Sequence, residues 1–139
     1  MPEPETIERA KREEEEGKSR STQAGEFVRE ELRHIREGKH GAASTKQAIA
    51  IGLSKARRAG VKLAQPSKSN TSARARRQAK RDSAKGRNGN GSRPSKTRSQ
   101  AVTKALKREG HSAASHASLS RQAKSAARKR GPQSGRKSA

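Results

Sequence analysis

The chain has 139 residues, carries 35 Lys and Arg against 13 Asp and Glu for a formal net charge of +22, and is only 26% apolar. Val, Ile, Leu and Phe number 13, far below the share of roughly 20% under which a highly charged chain is expected to be disordered. This excludes the dry cleft of a conventional enzyme, a membrane span of roughly 20 apolar residues and, with no cysteine, all disulfide, thiolate and Cys-based zinc chemistry.

The first residues, Met1-Pro2-Glu3-Pro4-Glu5, are acidic and lack the apolar region of a secretory signal. The expectation is an intracellular protein that acts through charge. Residues 1–63 hold 14 basic and 11 acidic side chains, whereas 64–139 hold 21 basic and 2 acidic ones, Asp82 and Glu109. Nine of the 13 large apolar residues fall within 24–63. The chain therefore divides into an acidic leader (1–20), a small apolar module (21–63) and a basic low-complexity tail (64–139). Such asymmetry points to a polyanionic partner.

In the leader, Thr6 is a candidate cap for a short helix, with acids favouring the first turn. Only Ile7 and Ala10 are apolar there, so it reads as flexible or transiently helical. The module opens at Ser21 or Thr22 as N-cap. Ala24, Phe27, Val28, Leu32 and Ile35 then recur at three- and four-residue spacing, one apolar stripe on a helix. Gly38 is a natural stop. Ser44-Thr45-Lys46-Gln47 matches a capping box, and Ala48, Ile49, Gly52, Leu53 and Ala56 make a second stripe that Gly60 closes. The fold class is all-α: a helical hairpin over about 22–63, followed by a largely disordered or transiently helical tail. Phe27, Val28, Leu32, Ile35, Ile49 and Leu53 form its core or a partner-binding face. Nine large apolar residues are few for a free-standing domain, so the module calls for a third helix, self-association or a partner.

The tail begins with a linker at 66–70. Residues 72–85 read as a very basic helix with only alanine as apolar surface, and 86–97 as flexible by composition. Two more helix-competent stretches follow, 98–109 and 115–130, closed by Gly110 and Gly131.

The strongest signal is this tail. Lys and Arg bind phosphate backbones because condensed counterions are released, and Arg, the more abundant here, presents a planar fork to phosphate oxygens. Arg74, Arg76, Arg77, Lys80 and Arg81 are the candidate contacts on the first tail helix. Lys104, Lys107 and Arg108 follow on the second, and Arg121, Lys124, Arg128, Lys129 and Arg130 on the third. The chain has one aromatic residue, Phe27, so base stacking is disfavoured and backbone binding of duplex DNA or structured RNA fits better. The expected function is non-enzymatic, largely sequence-independent nucleic-acid binding, DNA favoured, in a nucleoid-type architectural or protective role. The alternatives are a structured-RNA or ribosome-associated protein and a protein-binding adaptor that uses the hairpin stripe. The adaptor makes a homo-oligomer or another protein the partner. No membrane insertion is expected.

Three smaller features are weighed against this. The loop Gly38 to Lys46 can present amides, a hydroxyl and two lysines to an anion, but an ordinary capped turn is the simpler reading. The Glu13–Glu16 run suits an intramolecular shield for the tail better than a cation site. His34, His40, His111 and His116 stand in no recognised ligand spacing. No catalytic, cofactor or metal site is therefore read from the sequence.

The stretch Ser21 to Leu63, above all Gly38–Gly41 and Ser44–Leu63 (GKHG and STKQAIAIGLSKARRAGVKL), resembles a bacterial family of small basic proteins of unknown function. The resemblance implies a cytoplasmic, bacterial setting; the nucleoid as the expected site of action follows from the charge argument. It supplies no binding or catalytic residues to carry over.

Overall fold

The structure is a computed structural model that describes residues 2–68, 71–88 and 95–130, the side chains of Asn88 and Arg130 excepted. The described residues are helical, without strands. Six α-helices follow in order: α1 (Pro4–Glu15), α2 (Arg20–Arg36), α3 (Thr45–Arg58), α4 (Ala73–Asn88), α5 (Lys96–Lys107) and α6 (His116–Arg130), with a 3-10 turn at Ser112–Ala114 before α6. None is long and apolar enough to cross a membrane. Of the segment expected to be flexible at 86–97, residues 86–88 close α4 and 96–97 open α5, while 89–94, the end of the 66–70 linker and the stop expected at Gly131 lie outside the described residues.

Local chemistry sets the helix ends. The cap of α2 is Ser19, two residues before the expected Ser21, and its hydroxyl accepts from the Thr22 amide at 3.2 Å. Ser21 and Thr22 are as compatible with a first turn as with a cap, so composition alone does not choose among three neighbouring hydroxyls. Ser44 caps α3 as the capping box predicts, accepting from the Gln47 amide at 3.1 Å. The reciprocal bond is displaced by one residue: Gln47 Oε1 accepts from the Ala43 amide at 2.6 Å. Gly38, at a φ of 79°, follows the last turn of α2.

The stripes of α2 and α3 face each other. Ile35 clusters with Ala48, and Phe27 and Ala24 cluster with Ala56. Early residues of one helix thus meet late residues of the other, and the pair is antiparallel. Two apolar clusters form. One holds Phe27, Ala24, Ala56, Val61 and Ala10, flanked by Ile7, Leu53 and Leu63. The other holds Ile35, Ala48, Ala42, Ala113 and Ala114, flanked by Leu32. Phe27 and Ile35 are fully buried, while Val28, Leu32, Ile49 and Leu53 are half-buried.

The leader supplies α1, which packs on α2. Thr6 is not its cap. Glu3 occupies that position, and the Thr6 hydroxyl is buried and donates to Glu30 Oε1 at 3.0 Å. Polar contacts supplement the short apolar face of Ile7 and Ala10: the Glu3 amide donates to Glu30 Oε1 at 2.7 Å, and Arg9 Nε pairs with Glu26 Oε2 at 3.0 Å. On the other side α4 packs on α3, burying Ala79 and Asp82. The 3-10 turn docks where α2 ends and α3 begins. Arg36 Nε donates to the Ala114 carbonyl at 3.0 Å, and the Thr45 hydroxyl donates to the Ala113 carbonyl.

The α2–α3 contact is close because α3 has no side chain at Gly52. A Cβ there would lie 2.7 Å from Val28 Cα. Alanine usually stabilises a helix interior by up to about 1 kcal/mol over glycine, but here the helices must separate, and overpacking costs roughly 1–3 kcal/mol. Gly25 on α2 has open space around its Cβ position. Gly52→Ala is therefore expected to lower the denaturant midpoint and Gly25→Ala to raise it. Equal shifts of the same sign in urea unfolding would contradict this packing.

Candidate functional site

Four acids are turned inward, while those of α1 and the helix ends are largely exposed. Glu26, Glu30, Glu31 and Asp82 are buried, and Glu3 pairs with Arg33 and with His34. The His34 hydrogen bond, and after it Arg33, holds the Glu3 carboxyl below its usual range against the opposing effect of desolvation. Asp82 accepts from Gln78 Nε2 at 3.1 Å and faces Arg58 Nε at 3.9 Å. Burial pushes the neighbouring Arg57 guanidinium down, an effect the Asp82 charge opposes.

Asp82 is the one acid of α4, and it lies against α3. The exposed charged side chains of α4 are therefore all cations. Arg74, Arg77, Arg81 and Lys85 recur at three- and four-residue spacing, so they stand on successive turns of one side. All four are exposed, as is Lys80 beside them, and none has a carboxylate partner among the described residues. Lys85 belongs to this strip and escaped the sequence reading, although its spacing from Arg81 was signal enough. Arg76 sits apart: it is half-buried, with its Nε enclosed and without a hydrogen bond.

The other predicted cations are dispersed. Lys104, Lys107 and Arg108 are exposed at the end of α5. Arg121, Lys124, Arg128 and Lys129 are exposed on α6, where Arg121 Nη2 donates to the Ser118 hydroxyl at 3.2 Å. The Arg130 side chain lies outside the described residues. Arg121 also shares a cleft of about 350 Å³ with Lys46, Ser44 and Ser112, between the start of α3 and α6. The loop from Gly38 to Lys46 beside it spends its amides internally, as the ordinary capped turn expected there would. Lys39 N donates to the His34 carbonyl, Gly41 N to Leu106, Ala42 N to Gly110 and Ala43 N to Gln47.

A second constellation was missed by sequence reasoning. One oxygen of Glu31 and one ring nitrogen each of His34 and His40 lie within 4.8 Å of one another. Glu31 and His34 share a face of α2 because they are three residues apart, and this spacing was visible in the sequence. His40 arrives from the loop. A Cβ at Gly41 would run into the Glu109 backbone, so only glycine lets the loop approach closely enough to place His40 there.

Residues 21–69 match a family of unknown function (DUF6496), a segment that spans α2, the loop, α3 and the first residues beyond. No curated protein and no solved structure matches the chain.

Proposed function

We propose that this is a non-enzymatic nucleic-acid-binding protein, largely indifferent to sequence, with duplex DNA the favoured target and an architectural or protective role. The exposed strip of α4 and the cations of α5 and α6 contact phosphate oxygens, and released counterions supply the free energy. The observation that carries the reading is the strip itself. With Asp82 turned against α3, the outer side of α4 offers Arg74, Arg77, Arg81 and Lys85 with no acid among them. A solvated face that only conferred solubility would need no such segregation. The α2–α3 pair with α1 is the platform on which this helix rests. Phe27 and Ile35 of its stripe are covered by the chain's own elements, which favours this reading over an adaptor that docks a partner on them.

The test is a competition titration of the full chain against equal-length duplex DNA, duplex RNA and single strands, from roughly 50 to 300 mM salt. Duplex DNA is expected to bind tightest. Log affinity should fall steeply with log salt, by about 0.9 per phosphate neutralised. Preference for A-form RNA would move the role to structured RNA. Weak binding to every nucleic acid at the lowest salt would refute the reading.

A further inference from the structure

We propose that Glu31, His34 and His40 form a site for a single divalent transition-metal ion of the zinc class, joining α2 to the loop that leads into α3. The inference is independent of the nucleic-acid reading.

The geometry around His40 carries it. His40 Nδ1 lies 2.9 Å from the Gly41 carbonyl oxygen. A carbonyl only accepts, so Nδ1 bears the hydrogen. In the neutral ring the Nε2 lone pair then faces Glu31 Oε2 at 3.1 Å. Two acceptors at that distance repel each other unless a cation lies between them. Glu31 is fully buried, and Oε2 makes no hydrogen bond, while Oε1 holds the Lys55 ammonium. A buried carboxylate oxygen in this state is costly unless something coordinates it.

His34 supplies the third donor. The rings of His34 and His40 meet edge to face, their centres 6.3 Å apart. In a tetrahedral zinc site, bonds of about 2.0–2.2 Å separate neighbouring ligand atoms by roughly 3.4 Å. The Glu31–His40 pair is already close to that separation, and the third ligand atom, on His34, lies within 4.8 Å of both. Two imidazoles and one carboxylate select zinc-like ions over magnesium or calcium, which take oxygen ligands. A fourth position remains open for water.

The surroundings orient the ligands as metal sites require. The Gly41 carbonyl holds the His40 ring, and the Gly41 amide is tied to the Leu106 carbonyl at 2.8 Å. Glu3 holds His34 Nε2 through Oε1 at 3.1 Å and pairs with Arg33 through Oε2. The rival occupant is a proton, which would make the cluster a Lys55–Glu31–His40 ion-pair network and nothing more.

The experiment titrates zinc chloride into the chelator-stripped full chain by calorimetry and follows thermal unfolding by circular dichroism with and without the ion. About one equivalent is expected to bind and to raise Tm, as any ligand selective for the native state must. His34→Ala and His40→Ala should each weaken zinc binding by at least about 10- to 100-fold, since even losing an orienting neighbour of a ligand does so. His116→Ala, exposed on α6, should leave it unchanged. Zinc affinity that survives both cluster variants, or the absence of uptake by the folded chain, overturns the site. Should the alanine variants lose helicity, cobalt(II) added to the intact protein decides instead. A strong visible band of four-coordinate cobalt supports the site, and the weak band of hexaaqua cobalt overturns it.

Discussion

Phe27→Ala is expected to abolish most of the cooperative unfolding transition. Phe27 is the one aromatic side chain of the protein and is 1% exposed. Its cluster otherwise consists of three alanines and Val61, with Ile7, Leu53 and Leu63 at the edge. Truncating a buried Phe costs roughly 3–5 kcal/mol. Whole domains are stable by only about 5–15 kcal/mol, and an alanine-rich core places this one toward the lower end. Neighbouring alanines cannot lean far enough to refill the space, so little of the cost is recovered. A fall in Tm of more than about 12 °C is expected, with far-ultraviolet circular dichroism as the readout. Val102→Ala is the control. Val102 is 55% exposed on α5, and such a change should stay within about 0.5 kcal/mol. Similar losses in both variants would show that the Phe27 cluster is not what holds the helices together.

The second large effect belongs to the outer side of α4. Replacing Arg74, Arg77, Arg81 and Lys85 together by glutamine is expected to flatten the log–log salt dependence of duplex binding by about 3 to 4. Affinity near 0.1 M salt should fall on the order of 100- to 1,000-fold. The four side chains are exposed and hold no carboxylate among the described residues, so Tm should hardly change. That separation of binding from stability makes the variant more informative than removing the tail. Deleting everything after residue 63 would also strip Ala79 and Asp82 from α3 and the Ser112–Ala114 turn from α2 and α3. Lost binding would then be confounded with lost structure. An unchanged salt slope in the four-site variant would transfer the phosphate contacts to α5 and α6.

Composition and short-range spacing carried a good deal of this protein. The helical class, the stripe from Ala24 to Ile35, the Ser44 cap and the charge imbalance are all local signals. Apolar periodicity and capping hydroxyls act within one or two turns, and charge is additive along the chain. The docking of the leader was not legible in the same way, because Glu3, Thr6 and Arg9 hold α1 through carboxylates on α2. Polar residues on a helix face look solvated until their partners are known. Nor does alanine announce whether it will be buried. Ala113 and Ala114 lie in a basic, serine-rich stretch and still complete the Ile35 cluster. The contact that seats them, Arg36 to the Ala114 carbonyl, spans 78 residues. Glycine is equally silent: Gly52 and Gly41 act through the backbone they admit, Val28 and Glu109. The inward turn of Asp82, which leaves the α4 strip purely cationic, and the meeting of Glu31, His34 and His40 both depend on such long-range packing. Charge and periodicity settled what kind of chain this is. Which charges face outward, and which buried groups meet, followed from close backbone approaches and distant pairings that leave no period in the sequence.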